Sequence, residues 1–131
     1  VVHEGLQMRV FKNKAVSKWA AKEGLTDKAL LEAVGEMERG LIDADLGGHV
    51  VKKRVALAGR GKSGGARTFL AYKVGNKAFF VYGFAKNARA NIKDDELKAL
   101  KLYAQELLGY SDKALTKAIK YGVLIEVKND G

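Results

Sequence analysis

Gly59-Arg60-Gly61-Lys62-Ser63-Gly64-Gly65-Ala66-Arg67-Thr68 is the stretch at which two fold classes part. Its first six residues match G-x-G-x-x-G, the phosphate-binding turn of dinucleotide folds, which needs a strand before it and a helix after it. Gly61-Lys62-Ser63 also echoes the end of a P-loop, but that motif needs a glycine where Ala56 stands, and again a following helix. Alternation follows instead. Thr68, Leu70, Tyr72 and Val74 fall on one side, and Arg67, Phe69, Ala71 and Lys73 on the other. The stretch is therefore a glycine-rich connection between two strands, and both βαβ motifs are rejected.

The same period extends on either side. Val50 to Leu57 places Val51, Val55 and Leu57 opposite Lys52, Arg54 and Ala56. Gly75-Asn76 is a tight hairpin turn, and Ala78 to Phe84 alternates Phe80, Tyr82 and Phe84 with Phe79, Val81 and Gly83. Strands at roughly 50–57, 66–74 and 78–84 with short links predict an antiparallel meander. Upstream, Met8 to Lys12 is a short strand. Asn13 caps a helix bearing Val16, Trp19 and Ala20, and Gly24 ends it. Thr26 caps a second helix with a wide apolar stripe of Leu30, Leu31, Val34, Met37, Leu41 and Ile42. Downstream, Asp94 is the expected cap of a helix running to Gly109, and Ser111 caps another through Lys120. Tyr121 to Val127 ends as a short strand. Residues 24–30 and 109–115 repeat the same helix-start chemistry without making a repeat architecture. The expectation is one α+β domain over 8–131: two N-terminal helices packed on one face of a twisted antiparallel sheet, with a helical C-terminal segment after about 109. Val1 to Gln7 reads as a cloning remnant or an upstream extension.

The charge is local. From Leu46 to Lys93 there are eleven Lys or Arg and no Asp or Glu, whereas the whole chain carries +9. Nucleic acid is the commonest partner of such a cationic field. Lys62, Arg67, Lys86 and Arg89 are delivered to strand ends and loops, without an acid nearby in sequence. A lone strand arginine is usually just a surface residue, but this company singles out Arg67, whose guanidinium can grip phosphate in a fork. There is no cysteine, which fits a reducing compartment, and two histidines alone make a zinc site a poor prospect. His49, beside Gly47-Gly48, is an exposed loop residue before it is an acid–base group, and His3 is of no interest. Ser17, Ser63 and Ser111 have no nearby histidine to complete a triad. The aromatic run at Phe79, Phe80, Tyr82 and Phe84 can stack bases, but at least half of it must be core. No apolar run approaches the ~20 residues of a membrane span.

Gly40-Leu41-Ile42-Asp43-Ala44-Asp45-Leu46-Gly47-Gly48, Lys53-Arg54-Val55-Ala56, Gly61 to Thr68, Gly83-Phe84-Ala85-Lys86-Asn87 and Ile92 come in that order on two helices followed by a meander. In this the chain resembles the RelE/ParE superfamily of bacterial toxins, in its HigB-like branch, over Met8 to Leu108. The resemblance implies a small α+β toxin of a type II toxin–antitoxin system, cytoplasmic, needing no cofactor or metal. It implies an endonuclease that cuts messenger RNA in the ribosomal A site and is neutralised by a cognate antitoxin. It places the family's phosphate-gripping arginine at Arg67, its glycine-loop lysine at Lys62, and the following basic pair at Lys86 and Arg89. Lys53, Arg54, Arg60, Lys73 and Tyr82 are the accompanying RNA contacts. Phe84 stands where relatives often carry a catalytic tyrosine or histidine, which leaves the general base open. Cleavage by the ribose 2′-hydroxyl needs a base, an acid and cations around the phosphorane. Arg67 with Arg89 suits the charge. Crowded cations favour a neutral amine, which assigns proton transfer to Lys62 or Lys86. The alternatives are a non-catalytic nucleic-acid-binding module, or a toxin acting on a protein target such as gyrase.

Overall fold

The computed structural model describes residues 8–57 and 61–128, and the side chains of all of these but 61–63. In chain order the elements are β1 (Arg9–Asn13), α1 (Lys14–Glu23), α2 (Asp27–Glu38), β2 (Ala44–Asp45), β3 (Val50–Leu57), β4 (Gly61–Tyr72), β5 (Lys77–Ala85), α3 (Asp94–Leu108), α4 (Asp112–Lys120) and β6 (Leu124–Glu126). Caps start the helices where local chemistry demands: Asn13 accepts from Val16 N, Thr26 from Ala29 N, and Ser111 from Ala114 N. Gly24 and Gly40 take left-handed φ values of 73° and 89°. Each sits in a paired turn that satisfies the last carbonyls of its helix. That turn ends α2 at Glu38, so Leu41 and Ile42 do not extend the helical stripe as expected, and Leu41 is exposed. Helix α3 starts at Asp94 itself, so its cap lies one residue before the expected one. Lys93 holds the cap position, and the Glu96 carboxylate accepts from Lys93 N.

The three central strands form the antiparallel meander, β3 with β4 and β4 with β5. Two boundaries move. β4 begins at Gly61, because Gly61 pairs with Leu57 and draws the second half of the glycine stretch into the sheet. It ends at Tyr72, since Lys73 to Asn76 form the turn, closed from Asn76 N to Lys73 O. The expected arrangement of two N-terminal helices on an antiparallel sheet also needs correcting. A strand opens the described chain, and β1 inserts beside β5 in parallel, with β6 antiparallel on its other side. The sheet is therefore mixed, in the order β2-β3-β4-β5-β1-β6. Parallel pairing of β1 is permitted because α1, α2 and the meander supply a long crossover.

Helices cover both faces. On one, α1 and α2 contribute Val16, Ala20, Leu30, Val34 and Met37 against Val51, Val55, Leu70 and Phe80. On the other, α3 and α4 contribute Ala104, Leu107, Leu115 and Ala118 against Val50, Phe69, Phe79 and Phe84. Phe11, Phe69, Phe79 and Phe80 are fully buried. Each such ring is worth about 2–3 kcal/mol of burial. A bulge lies in β5: Phe69 pairs with Tyr82 but Leu70 pairs with Phe80, leaving Val81 extra. The extra residue reverses the phase of the strand. Phe80 faces α1 and α2, while Tyr82 and Phe84 face the other way, so these three do not share a side as strict alternation predicts. Among the described residues, no helix is long and apolar enough to cross a membrane.

Candidate nucleic-acid interface

Strand register builds the basic surface. Arg54 lies opposite Arg67, and Arg67 opposite Phe84, so the three form one row across β3, β4 and β5. Lys52, Phe69 and Tyr82 form the next row. Residues two apart in a strand share a face, which puts Lys52, Arg54 and Arg67 together on the α3–α4 side of the sheet. With Asp43 they line a shallow concavity of about 290 Å³ near the β2 edge. Asp43 Oδ2 accepts from Arg54 N at 2.6 Å, and Oδ1 from Arg54 Nε at 2.9 Å. Burial pushes the Asp43 carboxyl up, but these bonds outweigh it and hold it below the ordinary carboxylate range. The concavity thus holds three cations against one carboxylate, which favours an anion. Arg67 is half-buried at its centre. Lys86 follows β5, exposed, with its N–H donating to Gly65 O at 2.9 Å. That bond sets it beside β4, two residues from Arg67 along the strand.

Arg89 is placed differently. Its Nη1 and Nη2 fork onto Glu96 at 3.0 and 2.6 Å, its Nη1 also donates to Tyr82 Oη at 2.8 Å, and its Nε donates to Asn91 O. The guanidinium lies 5.3 Å from the centre of the Phe84 ring. The fork from Arg89 and the bond from Lys93 N hold the Glu96 carboxyl down to about 2. Arg89 lines a separate concavity of about 610 Å³ with Asn91, Lys93, Asp95 and Glu96. Arg89 and Arg67 thus line different concavities, and Phe84 neighbours both of them.

A RelE family description, the RelE toxin of the RelE/RelB toxin–antitoxin system, matches residues 8–127. The chain belongs to the RelE toxin family. Comparison with curated proteins and with solved structures returned no match. Membership makes this RelE-family chain a toxin of a toxin–antitoxin system, with a cognate antitoxin as its partner.

Within this RelE-family toxin the expected residues separate into groups. Arg54, Arg67 and Lys86 come together at one end of β4. Tyr82 and Arg89 form the neighbouring hydrogen-bonded pair. Lys53 is excluded: it points to the opposite face, almost fully buried, with Nζ bound to Glu36 at 2.8 Å and to Leu41 O at 2.8 Å. Lys73 is excluded by distance, since six residues of strand put it ~20 Å from Arg67, in the far turn. His49 is an exposed turn residue with φ 65°. Arg60 and the Lys62 side chain lie outside the described residues. The aromatic run is core at Phe79, Phe80 and Phe84, leaving only Tyr82 partly exposed. Sequence reasoning missed two members. Lys52 was within reach, because alternation already set it beside Arg54. Asp43 carried no local signal, being eleven residues from the arginine it holds. The expected lack of acids near the cations is corrected as well: Glu36, Asp43 and Glu96 reach Lys53, Arg54 and Arg89 from outside the acid-free stretch.

Proposed function

We propose that this RelE-family toxin is a messenger-RNA endonuclease acting in the ribosomal A site, in the cytoplasm, by attack of the ribose 2′-hydroxyl on the adjacent phosphate. The row of Arg54, Arg67 and Phe84 supports this reading: two guanidinium groups stand on one face beside an exposed lysine, at the mouth of a cationic concavity. Arg67 grips the scissile phosphate and stabilises the charge of the phosphorane. Arg54 and Lys52 hold the backbone on the β3 side. Lys86, and Lys62 from the start of β4, are the candidates for proton transfer. Phe84 offers no proton, so the chemistry falls to amines rather than to an aromatic hydroxyl at that place. Arg89, committed to Glu96, positions Tyr82 and Phe84 instead of meeting the phosphate. No step in this scheme needs a metal.

Arg67→Ala tests it. Loss of one transition-state donor costs ~10²–10³ in rate, whereas a partly exposed strand substitution of this kind changes stability little. Expressed without antitoxin, the variant is expected to be harmless, to leave messenger RNA intact, and to melt like the wild type. Continued cleavage by a variant that melts normally would remove Arg67 from the site. Growth arrest by the wild type with intact messenger RNA would favour a protein target.

A further inference from the structure

The two concavities on this side of the toxin differ in kind. The one at Arg67 carries surplus positive charge. The one at Arg89 does not: Arg89 and Lys93 face Asp95 and Glu96, so its formal charges cancel. A phosphate gains nothing there. What that concavity presents is a plane. Bonds from Nε, Nη1 and Nη2 to Asn91 O, Tyr82 Oη and both Glu96 oxygens fix the guanidinium in two dimensions, and Phe84 backs it at 5.3 Å. Its side chain keeps 29% of its exposure and lines the concavity. A guanidinium held by four bonds, backed by a ring and still partly exposed is a platform for a second flat π-system. Phe84 joins this platform to the phosphate grip, since the same residue is the cross-strand neighbour of Arg67.

We propose that the exposed part of the Arg89 guanidinium is a nucleobase-stacking seat, holding the base of a nucleotide next to the phosphate gripped by Arg67. The ligand is an unpaired RNA base, whose polar edge reaches Asn91 and Lys93 at the rim. Stacking on arginine planes is a known way to hold splayed RNA bases, and it tolerates different bases because each has a π-face. This inference rests on the endonuclease reading and assigns its base subsite. Glu96 then acts as a positioning residue, through the angle at which it holds Arg89.

The test uses ribosomes programmed with a messenger RNA that carries 2′-O-methyl groups across the A-site codon to block cleavage, with 2-aminopurine at each codon position in turn. Wild-type toxin is expected to change the fluorescence at one position, as the base leaves its neighbours for the guanidinium. Arg89→Lys keeps the charge but has no plane, and should lose that change while binding roughly tenfold more weakly. Glu96→Gln keeps Arg89 but breaks its fork, and should give an intermediate signal with a small loss of stability that leaves the protein folded, which keeps the test open if Arg89→Lys folds poorly. A fluorescence change that survives both substitutions, or wild-type binding without any change, overturns the seat. If Arg67→Ala abolishes binding while both Arg89→Lys and Glu96→Gln behave as wild type, the phosphate grip stands and the base seat alone is wrong.

Discussion

A Cβ at Gly83 would stand 2.4 Å from Trp19 Cζ3. Trp19 lies on α1, and the bulge in β5 turns Gly83 towards it, so the indole packs where a side chain would otherwise be. Gly83→Ala is expected to lower stability by ~1–3 kcal/mol, as overpacked cores do, and to lose less in a Trp19→Leu background. Equal losses in both backgrounds, by thermal or urea denaturation, would place the cost elsewhere. Lys53 is the other position where one side chain decides much. Its ammonium is bonded to Glu36 and Leu41 O beneath α2. Breaking a buried pair by removing one partner costs about 3–5 kcal/mol, while replacing the pair by apolar groups is far milder. Lys53→Ala should therefore melt well below wild type, and Lys53→Met with Glu36→Leu should recover most of the difference. A Lys53→Ala protein that melts normally but no longer binds RNA would return Lys53 to the interface.

Helix α3 is anchored at its start by one carboxylate with two duties. Glu96 accepts from Lys93 N at the helix cap and from the Arg89 guanidinium in the preceding loop. Helix onset and platform geometry are thereby coupled. The coupling has a pH signature. Glu96 titrates near 4.5 when unperturbed and is held to about 2 in the fold. A depressed carboxylate contributes stability that is present above its unfolded pKa and is lost as pH falls through the folded one. The Glu96 contribution should be complete above pH 4.5 and vanish towards pH 2. The pair is exposed to solvent, so salt should shrink the effect. Acid unfolding followed by circular dichroism, with and without Glu96→Gln, checks this: the variant is expected to show a flatter profile between these pH values. Coinciding profiles would mean that the fork does not contribute. Asp43 before β2 and Glu126 in β6 are depressed too, each by an arginine, so part of the acid sensitivity remains in the variant.

The molecule as a whole carries +9, concentrated in the strands and loops from Leu46 to Lys93. Its antitoxin partner is expected to be acidic, partly disordered when free, and laid across the face bearing Lys52, Arg54 and Arg67. Affinity should fall as salt rises, and mostly through the association rate. Titration of the purified pair by calorimetry at rising salt checks it; affinity indifferent to salt would point to an apolar contact instead. Helices cover both faces of the toxin's sheet. The fourth, α4, is amphipathic, with Leu115 and Ala118 inward. Its presence completes the cover over Phe11 and Leu124, where the parallel strand β1 meets β6.

Features that depend on a few neighbouring residues were legible in the chain. Asn13, Thr26 and Ser111 cap helices because the bond each makes reaches only three residues ahead. The meander follows from period two with short links, and the RelE likeness from motifs on those same strands. The surplus charge around Arg67 needed only counting. Folding alone brought in the rest. Position in the chain could not show that β1 would lie parallel to β5, that α3 and α4 would close the second face, or that Val81 would reverse the phase of Tyr82 and Phe84. Nor could it show that Lys53, Arg54 and Arg89 would meet Glu36, Asp43 and Glu96. Charges and apolar faces interact by distance in space, and a chain that returns on itself makes residues seven, eleven or seventeen positions apart into first neighbours.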